Sequence, residues 1–310
     1  MASIKARIVY HLFKRRLAKF RALKLALPQA RAWREREAEA RFKLPAGITV
    51  EAVQIAGVAG EWLHPPGPLD RGLLLYLHGG AYVQGSVKTH RALATRLALA
   101  SGASCLIIDY RLAPEHAFPA ALDDALAVCT ALRSMRPDAA LAVAGDSAGA
   151  GLALALALRL RDENRPNVAA LALMSPWTDL TLSNETHRTL ASVDPFFPNT
   201  DPLRFAAAAY AGSTDLRHPY VSPLFAEDLR GLPLTLIHVG DREALLDDAR
   251  LLAERMQQEA GGKAVQLKIY PKLWHVWQAF GGVIREADES IVELGTFLRS
   301  QLAVTGKIHR

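Results

Sequence analysis

From residue 73 onward, short continuous apolar runs alternate with stretches of helical periodicity, and this alternation leaves few folds open. The runs are "GLLLYL", "ASCLIIDY", "ALAVAGDS", "VAALALMSP", "LPLTLIHVG" and "AVQLKIYP". Strands that lack a polar face must be buried on both sides, and the intervening helices are the available covers. The expected fold class is therefore α/β, with a mostly parallel central sheet flanked by helices. Helices are expected over 88–100, about 119–135, 150–163, 247–259 and about 286–302. Upstream, "ITVEAVQI" and "GEWLHP" alternate and read as an antiparallel pair, with "PPGPLD" as a turn.

Two stretches break the pattern. Residues 177–233 hold six prolines, the pair Phe196 and Phe197 and the run "FAAAAYA", without a convincing strand. An insertion of that length between core strands, with that aromatic content, reads as a packed lid. Residues 1–43 carry thirteen Lys and Arg against three Glu, so this segment alone is about +10 while the whole chain is +6. The rest is mildly acidic, which argues against a nucleic-acid-binding body. The segment reads as helical, with Leu12, Phe13, Leu17 and Phe20 as one face and a break at Pro28. "KRRLAKF" has a twin-arginine look, but Arg21 and Lys24 interrupt the apolar core of such a signal. No window approaches the roughly 18 apolar residues of a membrane span. Cys105 and Cys129 lie in apolar runs without metal or redox spacing, so free buried thiols and a cytoplasmic location are expected.

Within the alternation, "VAGDSAGAGLAL" surrounds one hydroxyl, Ser147, with glycine and alanine where a strand meets a helix. A G-x-S-x-G run in that context lifts a nucleophile above the sheet edge. A serine hydroxyl needs a base to take its proton and a carboxylate to orient that base, here in the order acid, then histidine, on loops after later strands. His275, in "YPKLWHVWQ" directly after the strand 265–270, fits. His238 lies inside its strand, and His90, His116, His187 and His218 lie off the late strand ends. The loop "GDREALLDD" offers the acids: Asp247 and Asp248 suit the start of the next helix, which leaves Asp241 and Glu243. Oxyanion donors are expected from the N–H of Ala148 and from "LHGGAYVQGS", where His78 shapes the loop by hydrogen bonding.

From about Leu73 to the C-terminus the chain resembles the hormone-sensitive lipase-like esterases of the α/β-hydrolase fold. The resemblance rests on "HGGAYVQGS", "DYRLAPEHAFPAALDD", "GDSAGAG", "SPWTDLT" and "WHVWQAF". It implies Ser147 as nucleophile, Gly79, Gly80 and Ala81 as the oxyanion loop, and a helical cap made from the N-terminus and an insertion. Ala81 stands in place of the usual third glycine. The family's D-P-L-x-D acid segment corresponds to Glu243-Ala244-Leu245-Leu246-Asp247, which puts Glu243 in the acid position. The implied division is a cap segment 1–45 and a catalytic domain 46–310, with the insertion at about 178–228.

The expected activity is hydrolysis of short-chain acyl esters through a Ser147–His275–Glu243 triad and an acyl-enzyme, with no metal or organic cofactor required. Tyr82, Trp177, Phe196 and Phe197 are the expected substrate-binding residues. The same triad serves an amidase or an acyltransferase. A ligand-binding protein on a hydrolase fold is a further alternative, against which all three triad residues are present. The partner expected is a small-molecule ester, with a homodimer left open. The basic N-terminus is expected to act as a cap, with only weak binding to anionic membranes and no stable insertion.

Overall fold

The computed structural model describes residues 2–67 and 72–304, so the second half of the "PPGPLD" turn lies outside it. Strands β1 (Thr49–Ile55) and β2 (Val58–His64) form the expected antiparallel pair. Strands β3 (Leu73–Leu77), β4 (Ser104–Ile108), β5 (Leu141–Asp146), β6 (Ala170–Met174), β7 (Leu234–Gly240) and β8 (Val265–Tyr270) run parallel. Among the described residues they make one eight-stranded sheet, ordered β1-β2-β4-β3-β5-β6-β7-β8, with β2 antiparallel to β4.

The helices are α1 (Ile4–Ala22), α2 (Leu27–Glu39), α3 (Val87–Ser101), α4 (Ala120–Met135), α5 (Ala148–Asp162), α6 (Glu185–Thr189), α7 (Asp201–Ala211), α8 (Leu246–Ala260) and α9 (Arg285–Val304). The side-chain period of two explains how they cover the sheet. Along β3, Leu73, Leu75 and Leu77 join the core formed with α4, α5 and α8, while Leu74 and Tyr76 join the core formed with α3 and α9. Both faces are dry over β3 to β6, as the unbroken apolar runs require. In α5 every residue from Ala148 to Leu158 is buried, and its alternating Ala and Leu let it lie close against β5, β3 and β6. Local signals set the ends of α3. Ser86 and Thr89 exchange hydrogen bonds at its start, and Gly102 closes it at φ +72°.

The 177–233 stretch holds no strand and contains α6, α7 and a short 3-10 turn at Pro223–Phe225. It is anchored by Asp248. One carboxylate oxygen accepts the N–H groups of Thr178 and Asp179, and the other meets His187 and Asn184. At the N-terminus the basic segment forms two helices, as expected, and Pro28 sits in the first turn of the second, where its missing N–H costs nothing. One expectation needs correction. Leu12 does not share a face with Phe13, Leu17 and Phe20; it is exposed with Ile4 and Ile8, while Ala6, Tyr10 and Leu17 are buried. At 100° per residue Leu12 lies about a quarter-turn or more from the other three. Tyr10, Phe13 and Ala6 pack on Trp274, Trp277 and Phe280. Among the described residues no helix is long and apolar enough to cross a membrane.

Candidate active site

Five loops at the carboxyl ends of the parallel strands converge, as this topology favours for a site. Ser147 follows β5 directly at φ +54°, ψ −123°, a strained conformation for a residue with a Cβ. The strain is held by bonds on both sides: the Ser147 N–H donates to the Met174 carbonyl at 2.8 Å, and its carbonyl accepts from Trp177 N–H at 3.0 Å. Gly149 lets the turn close, because a Cβ there would collide with the carbonyl oxygen of Leu77. The result aims the hydroxyl at a partner: Ser147 Oγ lies 2.9 Å from His275 Nε2, and both residues are almost wholly buried.

The other imidazole nitrogen, Nδ1, lies 3.4 Å from Glu243 Oε2. That oxygen also accepts from Ser175 Oγ at 2.8 Å, and Ser175 Oγ in turn accepts the N–H of Val276 at 3.1 Å. Ser175 therefore ties the acid to the backbone beside His275, a role its place in "SPWTDLT" did not disclose. The only signal was its position at the end of a parallel strand, between the strand that carries the serine and the one that precedes the acid. Asp241 is elsewhere: its carboxylate accepts the N–H of Lys272 at 2.5 Å. Of the two acids left open by spacing, Glu243 is thus the one facing His275.

Burial pushes the Glu243 carboxyl above its ordinary range; the contact with His275 opposes that rise and the nearby Asp194 adds to it. For His275 burial disfavours the charged form, but Glu243, then Asp194 and Asp146, outweigh it and raise the imidazole above its ordinary value. A raised base beside a hydroxyl accepts its proton readily and holds it as the imidazolium.

The loop after β3 is set by Asp146, the residue before the serine. This buried carboxylate accepts from Tyr76 Oη at 2.7 Å and from Gly79 N–H at 3.0 Å, with His90 Nε2 at 3.4 Å. Burial alone would raise Asp146, but His90, Tyr76 and Gly79 hold it below the usual carboxylate range. His78 shapes the loop as expected, through Nδ1 and the Gly79 carbonyl at 2.8 Å, with its ring stacked on Tyr110. Gly80 takes φ +126°, where a Cβ would strike the carbonyl of Gln84. Ala81 and Tyr82 follow at φ +55° and +61°, so the alanine in place of glycine is accommodated at a backbone cost.

The aromatic residues expected to meet substrate divide into two groups. Phe196 and Phe197 place their rings 5.4 and 5.1 Å from the His275 ring. Tyr82 and Trp177 are wholly buried, Tyr82 stacked on Tyr210 at 3.7 Å and Trp177 donating its indole N–H to the Asp179 carbonyl. Among the described residues no cluster of side chains forms a metal-type ligand set.

Residues 74–279 match the α/β-hydrolase fold family. An acetyl-hydrolase of Streptomyces hygroscopicus is 40% identical over 268 residues, covering 86% of this chain and 87% of that protein. An esterase of Acinetobacter venetianus is 37% identical over 262 residues, 82% of each chain. A solved esterase of the bacterial hormone-sensitive lipase family superposes with a TM-score of 0.89 at 36% identity, covering 97% of this chain and 99% of that one. EstE5, in a crystal soaked with p-nitrophenyl butyrate, superposes with a TM-score of 0.88 at 37% identity and coverages of 97% and 100%. A serine held above a parallel sheet, a histidine on its hydroxyl and relatives of this kind lead to one assignment: the chain belongs to the hormone-sensitive lipase-like carboxylesterases of the α/β-hydrolase family, serine hydrolases of carboxylic esters.

Proposed function

We propose that Ser147, His275 and Glu243 are the triad of this esterase and that its substrates are short-chain acyl esters. Ser147 Oγ attacks the ester carbonyl as its proton passes to His275 Nε2, and Glu243 holds the imidazole in the competent tautomer. The oxyanion is received by backbone N–H groups of Gly80 or Ala81 and of Ala148, whose N–H, in the first turn of α5, has no intrahelical partner. Gly79 belongs to the same loop, but its N–H is taken by Asp146, so it anchors the hole rather than donating to the substrate. The imidazolium protonates the leaving alcohol, and water then cleaves the acyl-enzyme by the same route.

The observation that carries this reading is the 2.9 Å contact between a strained serine and a buried histidine whose far side faces a carboxylate. In this reading residues 1–45 and about 178–228 form the cap over the domain 46–310. Phe196 and Phe197 narrow the acyl site, with Tyr82 and Trp177 as its buried wall. That confinement favours small acyl groups, and the butyrate ester soaked into EstE5 is of that size. The buried free thiols Cys105 and Cys129 suit a reducing cytoplasm.

The test is a rate series on p-nitrophenyl esters from acetate to palmitate, together with mass-spectrometric mapping of a fluorophosphonate label. Highest kcat/KM at two to six carbons and a label on Ser147 are expected. A label elsewhere would sink the triad, and a preference for palmitate would sink the substrate class.

A further inference from the structure

The turn 192–197, within the insertion, contributes more than two aromatic rings. At its centre is Asp194, wholly buried. Its Oδ1 accepts the N–H groups of Phe196 at 2.8 Å and Phe197 at 3.4 Å, and its Oδ2 accepts the N–H of Ala244 at 2.9 Å. Ala244 directly follows Glu243, while Phe196 and Phe197 lie against the ring of His275. One carboxylate thus touches backbone on both sides of the acid–base pair. From the other direction α1 grips the same turn: Lys14 Nζ, Tyr10 Oη and Arg21 Nη1 donate to the carbonyls of Ser192, Val193 and Pro195 at 2.8, 2.7 and 3.0 Å.

The residue type is informative. Holding a turn needs only an acceptor, which a neutral amide oxygen supplies at far lower desolvation cost than a carboxylate. Burial raises the Asp194 carboxyl while His275 and the three N–H groups oppose that rise, so its charged form is most favoured when the nearby imidazole becomes cationic during turnover. We propose that Asp194 is a positioning residue for the Glu243–His275 pair: it locks the acid loop to the turn bearing Phe196 and Phe197, and its charge supports the imidazolium formed when Ser147 loses its proton. This rests on the triad reading above. Glu243, from the loop after β7, is the carboxylate at His275, at 3.4 Å; Asp194 of the insertion and Asp146 at the end of β5 add negative charge that raises the imidazole, and Arg21 of α1, which donates to the Pro195 carbonyl, is the cation that interacts with Asp194.

The test is the pH profile of kcat/KM for p-nitrophenyl butyrate with the full-length Asp194→Asn protein. Without that charge the base gives up its proton more easily. The acid limb should therefore move about one pH unit lower, while kcat falls roughly tenfold or more. Asp194→Glu, which keeps the charge, should leave the limb near its original position. A limb unmoved in Asp194→Asn, or an unchanged kcat, overturns the proposal, because a turn-holding role alone leaves the titration of the base in place. If the Asn protein does not fold, the pair Tyr10→Phe and Arg21→Gln loosens the same turn from outside. A several-fold fall in kcat is then expected, and an unchanged kcat overturns the proposal. Fluorophosphonate labelling of Ser147 in the parent separates the failures: no label discredits the triad, whereas normal labelling with an unmoved limb discredits Asp194 alone.

Discussion

At Ser147 a side chain that is unreactive in water sits 2.9 Å from a base and in a backbone conformation that keeps its Oγ proud of the sheet. Ser147→Ala should keep the fold, since it removes one buried oxygen, and lower kcat by about 10^4-fold or more. His275→Ala should do the same, and the double variant should cost little beyond either, because members of the proposed triad would act as a unit. Ester turnover within tenfold of the parent in folded Ser147→Ala protein would refute the assignment. Glu243→Gln should cost about a thousandfold in kcat, since an amide can stabilise the wrong imidazole tautomer. Asp241→Asn should change kcat little, its carboxylate being engaged with Lys272; the reverse ranking would move the acid role. As the proposed base His275 must be neutral, and its imidazole is raised, so kcat/KM should fall as pH drops through a value above about 6.5. An acid limb centred well below 6.5 would contradict the environment described for His275.

The elements that meet the site are tied to it by specific side chains. On α2, Arg31 donates to the carbonyls of Val83 and Ala113 at 2.7 Å each and forks onto Glu115 at 2.8 and 2.9 Å. It therefore joins the N-terminal segment to the loop after β3 and to the "YRLAPEH" stretch. Arg31→Met should destabilise the protein by about 1–3 kcal/mol, because two carbonyls lose a charged donor. A denaturant titration checks this, and an unchanged midpoint would show the fork to be idle. Removing residues 1–40 deletes this tie along with the rings of Tyr10 and Phe13 on Trp274 and Phe280. The truncated enzyme should unfold at lower temperature and accept longer acyl chains relative to acetate. Unchanged chain-length preference would show that the segment does not border the acyl site.

For the molecule as a whole, two histidines are buried in neutral form. Burial presses His78 down to about 3, with His90 adding to the effect, and His238 down to about 4. Both lie below the unfolded value of about 6.5, so their contribution to stability is present above that pH and is lost as pH falls toward 4. His90, His187 and His275 are shifted the other way, and below 6.5 their contribution is already complete. Asp109, Asp194 and Glu243, raised by burial, take up protons early in the folded state and offset part of the loss. The clean signature is therefore a difference. His238→Gln, which keeps a donor for Ser290 Oγ, should flatten the fall of unfolding free energy between pH 6 and 5 by up to ~1.4 kcal/mol per pH unit. Parallel profiles for parent and variant would rule out His238 as a source.

The features legible in the chain before folding were those of short range. Apolar runs marked β3 to β7 because a strand dry on both faces needs no polar alternation, the half-exposed edge strand β8 came next in the alternation, and the order of Ser147, the acid loop and His275 followed from where those strands end. The helix limits were legible within one or two residues because caps such as Ser86 and Gly102 are local. Groups equivalent in spacing are told apart by their contacts in the fold. Asp241 and Glu243 differ by two positions, and the choice between them depends on where β8 brings His275. Ser175, Asp146, Asp194 and Asp248 were not legible as site or anchor residues because each is defined by partners that are mostly distant in sequence. The inner face of α1 was likewise settled by the aromatic cluster at 274–280, which no periodicity within α1 could reveal. Burial and hydrogen bonding across long sequence separations have no local signature, and the parts of this site that depend on them appear only when the chain is folded.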